Sequence, residues 1–259
     1  FGISRPIMKL VALADHHLAV NVGGKDRPDP LRTAATILPA VPRPPDGDPV
    51  VGRAPRDDRW LRDWLTKSSE AQQRVGAAIA DGPFSGLAVT ATCWAGMDSD
   101  DLIFAAASRT VRNLEATMTP RHFPPWVIGN RGTSGIDGLV STAWGAAVAH
   151  QRQSPDGRTV AILGDLAFLH DHNGLLAPSV EQRPNLTIVV ADNNGGGIFS
   201  SLEQGDSDFV ADFERVFGTP HDLDLEEIAR AAGITTTSVT DAEQLAVALG
   251  RDSDGVQII

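Results

Sequence analysis

The hydrophobic pattern of this chain alternates between short apolar runs and longer amphipathic segments. Apolar runs predict strands at 87–92, 126–128, 159–163, 186–191, in ITTTSV and in the final VQII. Apolar residues at helical spacing predict a helix at 58–81. Further helices are predicted at 139–150 from its small residues, after the capping residue Asp224, and in DAEQLAVALG, which ends in glycine. Strands that alternate with helices indicate an α/β fold, in which a parallel sheet carries helices on both faces.

The first quarter of the chain has a different composition. Residues 6–22 predict a short helix and a strand, the end of a second α/β domain. Between Pro28 and Pro55 the chain has eight prolines, which favour a linker over a helix or a central strand. We therefore expect domain 1–27, linker 28–57 and domain 58–259. The chain starts at Phe1 without an initiator Met and stops on a strand-like run, so we also expect a fragment of a longer polypeptide.

Charge and cysteine content narrow the class of protein. The net charge of -11 argues against a nucleic-acid binder, which would need a basic face. The single cysteine, Cys93, has no internal disulfide partner and favours the cytoplasm. Its apolar neighbours predict a core thiol rather than a nucleophile. No run is long enough for a membrane span.

Compact oxygen ligands follow two of the predicted strands. Gly164-Asp165 follows the first, and Asp192-Asn193 with a run of three glycines follows the second. The carboxyl ends of parallel strands share one edge of a sheet, where ligands bind. Carboxylate, amide and carbonyl oxygens suit a hard cation such as Mg²⁺, and glycines let the backbone approach a phosphate.

Three further segments have both a functional and a structural interpretation. Ser108 and Arg112 share one face of a predicted helix, where they could hold a phosphate or carboxylate, or form an N-cap beside a solvated arginine. Ile136, in the glycine-rich loop 129–138, either faces a ligand or anchors the loop to the core. Arg5 is either a ligand-binding cation or an exposed arginine at a helix start. His170, His172 and His221 show no metal-ligand spacing.

The two strand ends resemble a known cofactor motif. The series Gly164-Asp165, 26 intervening residues and Asp192-Asn193 is similar to the thiamine diphosphate and Mg²⁺ motif of the pyruvate decarboxylase and acetolactate synthase superfamily. Leu166 replaces a motif glycine, and Asp192 replaces a motif asparagine. GNRGTSGIDG, GDLAFLHDHNGLL and NNGGGIF together resemble the menaquinone-pathway family of this superfamily, in which a leucine after the aspartate is usual. The Asp192 departure leaves Asn194 as an alternative to Asn193.

This resemblance implies roles for individual residues. It implies a thiamine diphosphate-binding fold in which thiamine diphosphate and Mg²⁺, or Mn²⁺ in its place, are the cofactors. The implied metal ligands are Asp165, Asn193 and the Gly195 carbonyl. The implied cofactor contacts are Ser108, Gly164, Asp165, Leu166 and the apolar prop Ile136. Arg112, Arg131 and Arg5 would bind substrate carboxylates, and Ile198 and Phe199 would wall the pocket.

The resemblance also implies an activity. The family decarboxylates 2-oxoglutarate and adds the resulting succinyl unit to isochorismate, in a homodimer or tetramer whose sites need an N-terminal pyrimidine-binding domain. Without that domain we expect these 259 residues to be inactive. The alternatives are another 2-oxoacid decarboxylase or carboligase of the acetolactate synthase type, a non-catalytic fragment, and a Mg²⁺-dependent nucleotide binder, which the lack of a P-loop disfavours.

Overall fold

The structure is a computed structural model that describes residues 5–20, 29, 32–40, 58–178, 180–250 and 255–259. Internal contacts divide the chain into two units, Phe1–Glu70 and Ala71–Ile259. The first unit contains helix α1 (Arg5–Ala12) and two parallel strands, β1 (Leu18–Val20) and β2 (Thr36–Leu38). The helix and strand predicted within residues 6–22 are thus confirmed. Strand β2 falls within the proline-rich stretch, most of which lies outside the described residues.

The predicted helix at 58–81 is confirmed as α2 (Asp58–Ala80), and the boundary between the two units falls inside it. No side chain of this helix is buried among the described residues. Trp60 and Trp64 are 68% and 48% exposed, so these two side chains do not enter the described core. None of the described helices is long and apolar enough to cross a membrane.

The second unit contains a six-stranded parallel sheet. Its elements are α3 (Gly86–Ala95), β3 (Leu102–Ala105), α4 (Arg109–Thr117), β4 (Trp126–Ile128), α5 (Leu139–Gln151), β5 (Thr159–Gly164), α6 (Asp165–Asp171), β6 (Leu186–Ala191), α7 (Val210–Phe213), α8 (Leu225–Ala231), β7 (Thr235–Thr236), α9 (Ala242–Leu249) and β8 (Val256–Ile258). The strand order is β4-β3-β5-β6-β8-β7, and every neighbouring pair is parallel.

Apolar side chains fill both faces of this sheet, which confirms the predicted fold class. Alternate residues of a strand point to opposite faces, so Phe104 enters one core while Ile103 enters the other. Helices α5, α6 and α8 contribute to the first core, and α3, α4 and α9 to the second. Cys93 is fully buried in the second core, and burial raises the pKa of its thiol to about 12. This agrees with the predicted core thiol.

The strand predicted at 87–92 is wrong, because this run forms the middle of helix α3. Helix α3 is buried around most of its circumference, so its sequence is apolar without the helical period. The hydroxyl of Thr90 donates a hydrogen bond to the Gly86 carbonyl, one turn back along the helix. The strand of this region is instead β3, which lies within residues 98–107, where the sequence pattern predicted no element.

Candidate functional site

Strands β5 and β6 bring the two candidate ligand groups together. They are neighbours in the sheet, and their register pairs Gly164 with Ala191. The next residues, Asp165 and Asp192, therefore leave the same edge of the sheet side by side. One carboxylate oxygen of each lies within 4.8 Å of the other and of a ring nitrogen of His221. The predicted meeting of the two strand ends is confirmed.

Asp165 is a buried carboxylate that backbone N–H groups surround. It begins helix α6 and is 2% exposed. One oxygen accepts the N–H of Leu166 at 2.7 Å, and the other accepts the N–H of Gly195 at 2.7 Å and of Asn193 at 3.3 Å. Within the described ranges no lysine or arginine forms an ion pair with it. Backbone N–H groups are therefore its main hydrogen-bond partners among the described residues.

Asp192 is the second carboxylate of the site. Its side chain is 46% exposed, and Oδ1 accepts the N–H of Asn194 at 2.8 Å. Burial raises the pKa of Asp192, and the neighbouring Asp165 carboxylate raises it further, against the opposing effects of the Asn194 N–H and His221. A cation close to both carboxylates would offset the repulsion between them.

His221 lies beside both carboxylates. Its side chain is 9% exposed, and Nε2 lies 3.4 Å from Asp165 Oδ2 and 3.8 Å from Asp192 Oδ1. Nδ1 accepts the N–H of Leu223 at 3.0 Å. Nε2 is buried and has no hydrogen-bond partner within the described structure. No spacing pattern pointed to this histidine, because it comes from a loop 29 residues beyond Asp192.

Two of the three glycines in the loop after β6, Gly195 and Gly196, lie directly against the backbone of Phe217 and Gly218. Gly195 has φ +140°, and a Cβ there would collide with the carbonyl oxygen of Gly218. The N–H of Gly196 donates to that same carbonyl at 2.6 Å. Asn193 Nδ2 donates to the Gly195 carbonyl at 3.2 Å, so the amide and this carbonyl lie together on one side of the loop. Only glycine fits Gly195 without strain.

Asn194 joins the glycine loop to the segment 219–223. Its Oδ1 accepts the N–H groups of His221 at 3.0 Å and Asp222 at 2.9 Å, and its Nδ2 donates to Asp222 Oδ1 at 2.7 Å. Both polar atoms of the Asn194 side chain are thus engaged away from Asp165. This geometry favours Asn193 over Asn194 as the amide ligand.

A cavity of about 860 Å³ opens beside the two carboxylates. Most residues that the sequence analysis selected line it, namely Ser108, Ile136, Gly164, Asp165, Leu166, Asn193, Gly195, Ile198 and Phe199. Arg112 and Arg131 are exposed and are not among its lining residues. Within the part of the chain that the structure describes, the cation that lines the cavity is Arg109, which the sequence analysis passed over. Its Nη2 donates to the Gly197 carbonyl at 3.4 Å.

Ser108 and Arg112 do come together, although through a backbone atom. Arg112 Nη1 donates to the carbonyl of Ser108 at 2.6 Å, one turn back. Ser108 has φ +87°, an unusual conformation for a residue with a side chain, which typically costs about 1–3 kcal/mol and is concentrated at functional sites. Ser108 occupies the N-cap position of α4 and Arg112 is exposed, as the structural interpretation predicted, but the Ser108 side chain makes no capping hydrogen bond.

The packing of Ile136 confirms its structural interpretation, whereas its contact with a ligand stays a prediction. Ile136 is half-buried, packs against the first core and also lines the cavity. Arg131 lies in the same glycine-rich loop, with its side chain exposed. Arg5 begins helix α1, and its side chain is not among those that the structure describes.

These residues fit a divalent cation bound to a phosphate group. The facing carboxylates offer oxygen ligands with no lysine or arginine ion pair of their own among the described residues, and the glycine backbone leaves room for close approach. The cavity beside them has space for a cofactor, with Arg109 at its wall. The site can therefore bind an anionic group through a metal.

Comparison with known proteins agrees with this chemistry. Residues 115–257 match the family described as thiamine pyrophosphate enzyme, C-terminal TPP binding domain. The chain is 42% identical over 259 residues to the 2-succinyl-5-enolpyruvyl-6-hydroxy-3-cyclohexene-1-carboxylate synthase of Thermobifida fusca, covering 100% of this chain and 44% of the relative. It is 44% identical over 212 residues to the synthase of that name from Nocardia farcinica, covering 81% and 37%. The resemblance to the menaquinone-pathway family is thus confirmed.

A solved structure supports the fold. An X-ray structure of a protein described as a thiamin diphosphate-dependent enzyme from Mycobacterium smegmatis has a TM-score of 0.50 and 21% identity to this chain. The matched region covers 68% of this chain and 31% of that protein. The chain spans less than half the length of each of these three proteins.

Proposed function

We propose a function from the premise that this chain belongs to the thiamine pyrophosphate enzyme family, whose C-terminal TPP-binding domain it contains. The proposal is that it forms the diphosphate- and Mg²⁺-binding part of a 2-succinyl-5-enolpyruvyl-6-hydroxy-3-cyclohexene-1-carboxylate synthase. That enzyme is a transferase of menaquinone biosynthesis, which decarboxylates 2-oxoglutarate and adds the succinyl unit to isochorismate. The relatives that carry this name support the assignment.

The observation that carries the proposal is the buried carboxylate of Asp165 at the cavity wall. A carboxylate that is 2% exposed needs compensation for its charge, and its described partners are backbone N–H groups and the weakly placed His221. A bound Mg²⁺ would supply that compensation. The side chain of Asn193 and the carbonyl of Gly195 are the other proposed ligands, and Mn²⁺ fits the same oxygen set.

The remaining cavity residues would hold the cofactor. Gly164, Asp165 and Leu166 lie at the end of β5 and the start of α6, next to the metal ligands, and Ser108 faces the same cavity. Ile136 is the proposed apolar prop, and Ile198 and Phe199 are the proposed walls. When bound, thiamine diphosphate supplies the carbon nucleophile that 2-oxoacid decarboxylation requires.

Arginines would bind the carboxylates of the two substrates. We retain Arg112, Arg131 and Arg5 as proposed substrate residues, and we add Arg109 because it already lines the cavity. A guanidinium can hold a carboxylate through two parallel hydrogen bonds. The contact between Arg109 and the Gly197 carbonyl is long, at 3.4 Å, so an arriving anion could displace it.

The domain arrangement and the oligomer of the complete enzyme are also part of the proposal. We propose that residues 1–27 end a middle domain, that 28–57 link it to the domain 58–259, and that a pyrimidine-binding domain comes from a longer polypeptide. The active enzyme would be a cytoplasmic homodimer or tetramer. Turnover of 2-oxoglutarate by the 259 residues alone would contradict this arrangement.

Calorimetry of the full-length protein that carries this sequence tests the cofactor site. We expect Asp165→Ala to abolish Mg²⁺-dependent binding of thiamine diphosphate, because it removes the central ligand. Asp224→Asn is the matched control, since it removes one carboxylate from the same cavity wall and an asparagine still caps helix α8. Equal affinities for wild type and Asp165→Ala would refute the metal assignment.

A product assay tests the reaction. The proposal expects carbon dioxide release from 2-oxoglutarate and a product that forms only when isochorismate is present. Formation of acetolactate from pyruvate, with no response to isochorismate, would instead support the alternative carboligase.

A further inference from the structure

The two carboxylates of the site lie close enough together for one metal ion to contact both. Asp165 and Asp192 leave neighbouring strands at paired positions, and their oxygens lie within 4.8 Å of one another. Like charges at this distance repel each other, and within the described ranges neither carboxylate forms an ion pair with a lysine or arginine. A divalent cation between them would turn this repulsion into attraction to a common centre.

His221 points its unpartnered nitrogen at these carboxylates. The ring is 9% exposed, and Nε2 has no hydrogen-bond partner in the described structure. Together, Asp165, Asp192 and His221 have the composition of a two-carboxylate, one-histidine metal site. A buried polar atom that is left unsatisfied needs a hydrogen-bond partner, and the two carboxylates are the charged groups beside it.

The tautomer of His221 excludes it as a ligand of the metal. The backbone N–H of Leu223 can only donate, and it donates to Nδ1 at 3.0 Å. Nδ1 therefore carries the lone pair, and the hydrogen of the neutral ring lies on Nε2. A nitrogen that bears a hydrogen cannot coordinate a metal, but it can donate to a carboxylate. His221 does not line the cavity, whereas both aspartates do.

We infer that Asp192 is a second carboxylate ligand of the metal, and that His221 is the positioning residue that holds the two carboxylates for it. This inference rests on the proposed function, because it presumes a metal at Asp165. Oxygen ligands alone would then surround the ion, which suits Mg²⁺ and Mn²⁺. The extra negative charge would let the site bind a divalent ion before any diphosphate arrives.

Binding of Mn²⁺ without thiamine diphosphate tests this inference. The titration is followed by electron paramagnetic resonance on the full-length protein that carries this sequence. Asp192→Asn keeps an oxygen for the N–H of Asn194 and restores the motif residue, and we expect it to weaken Mn²⁺ at least about tenfold. Asp224→Asn, which removes a charge from the same cavity wall, should stay within about twofold.

His221 variants separate positioning from ligation. His221→Leu should weaken Mn²⁺ by about 10- to 100-fold, the range for residues that orient metal ligands. His221→Gln retains an N–H donor and should recover much of this loss. Pulsed electron paramagnetic resonance should show no histidine nitrogen coupled to Mn²⁺. A coupling that disappears in His221→Leu would overturn the positioning role and make the histidine a ligand.

Asp165→Ala distinguishes this inference from the proposed function. If Asp165→Ala loses Mn²⁺ while Asp192→Asn binds it normally, the second carboxylate is refuted and the cofactor site stands. If Asp165→Ala also binds Mn²⁺ normally, the proposed metal site fails as a whole. Circular dichroism checks the fold of each variant, and Asp192→Ser replaces Asp192→Asn if the latter does not fold.

Discussion

Replacing Asn194 with alanine would test whether this side chain has a structural role or is a metal ligand. The substitution removes three hydrogen bonds, two accepted from the N–H groups of His221 and Asp222 and one donated to the Asp222 carboxylate. Each is worth about 0.5–1.5 kcal/mol net. Asn194 also has φ +57°, which costs an alanine about 1 kcal/mol. We expect Asn194→Ala to lower the free energy of unfolding by about 2.5–5.5 kcal/mol, the sum of these contributions.

Two further variants divide this loss into its parts. Asn194→Gly loses the same hydrogen bonds but tolerates the positive φ, so it should be about 1 kcal/mol more stable than alanine. Asn194→Asp keeps an acceptor for both N–H groups but places a carboxylate against Asp222. Urea denaturation of the metal-free protein measures all three. An unchanged unfolding free energy with loss of Mg²⁺ binding would refute the structural role and make Asn194 the ligand.

Three other substitutions follow from the same geometry. Gly195→Ala would place a Cβ against the Gly218 carbonyl, and calorimetry should show loss of thiamine diphosphate binding, whereas an unchanged affinity would contradict the loop geometry. Asp192→Asn should stabilise the metal-free protein at pH 7. The pKa of Asp192 is raised in the fold, so the contribution of this carboxyl group to stability is present at low pH and lost as pH rises. The melting curves of the wild type and of Asp192→Asn should therefore differ at pH 7 and converge below the ordinary pKa range of aspartate. Asp101→Ala would remove a buried carboxylate that pairs with the partly exposed Arg158 at 2.9 Å and accepts the N–H groups of Asp98 and Arg158, which should cost about 3 kcal/mol in urea denaturation. A loss below about 1 kcal/mol would contradict this.

The sequence was informative where one physical rule decided the outcome. Adjacent parallel strands share an edge, so the meeting of Asp165 with Asp192 could be predicted from two apolar runs. Helix α2 could be predicted because its apolar residues recur at helical spacing, as in Leu61 with Leu65 and Val75 with Ile79. The strand expected at 87–92 failed because an apolar run without periodicity fits a buried helix and a buried strand equally well.

Other parts of the site depend on tertiary packing. His221 reaches the carboxylates because Asn194 holds the loop before α8 by hydrogen bonds, and no local pattern encodes that contact. Arg109 lines the cavity while Arg112 turns back onto the Ser108 carbonyl, although both are arginines in the first turns of one helix. Such choices depend on side-chain directions that a linear sequence does not specify.

The pairing of Gly164 with Ala191 has a consequence for how this region can vary among related proteins. The separation of the two carboxylates is set by strand register, so it does not depend on the number of residues in the connection between the strands. Insertions or deletions within 176–185 should therefore be tolerated without moving either aspartate. A deletion of one residue inside β5 or β6 would instead turn every following side chain of that strand to the opposite face, and the site would be lost.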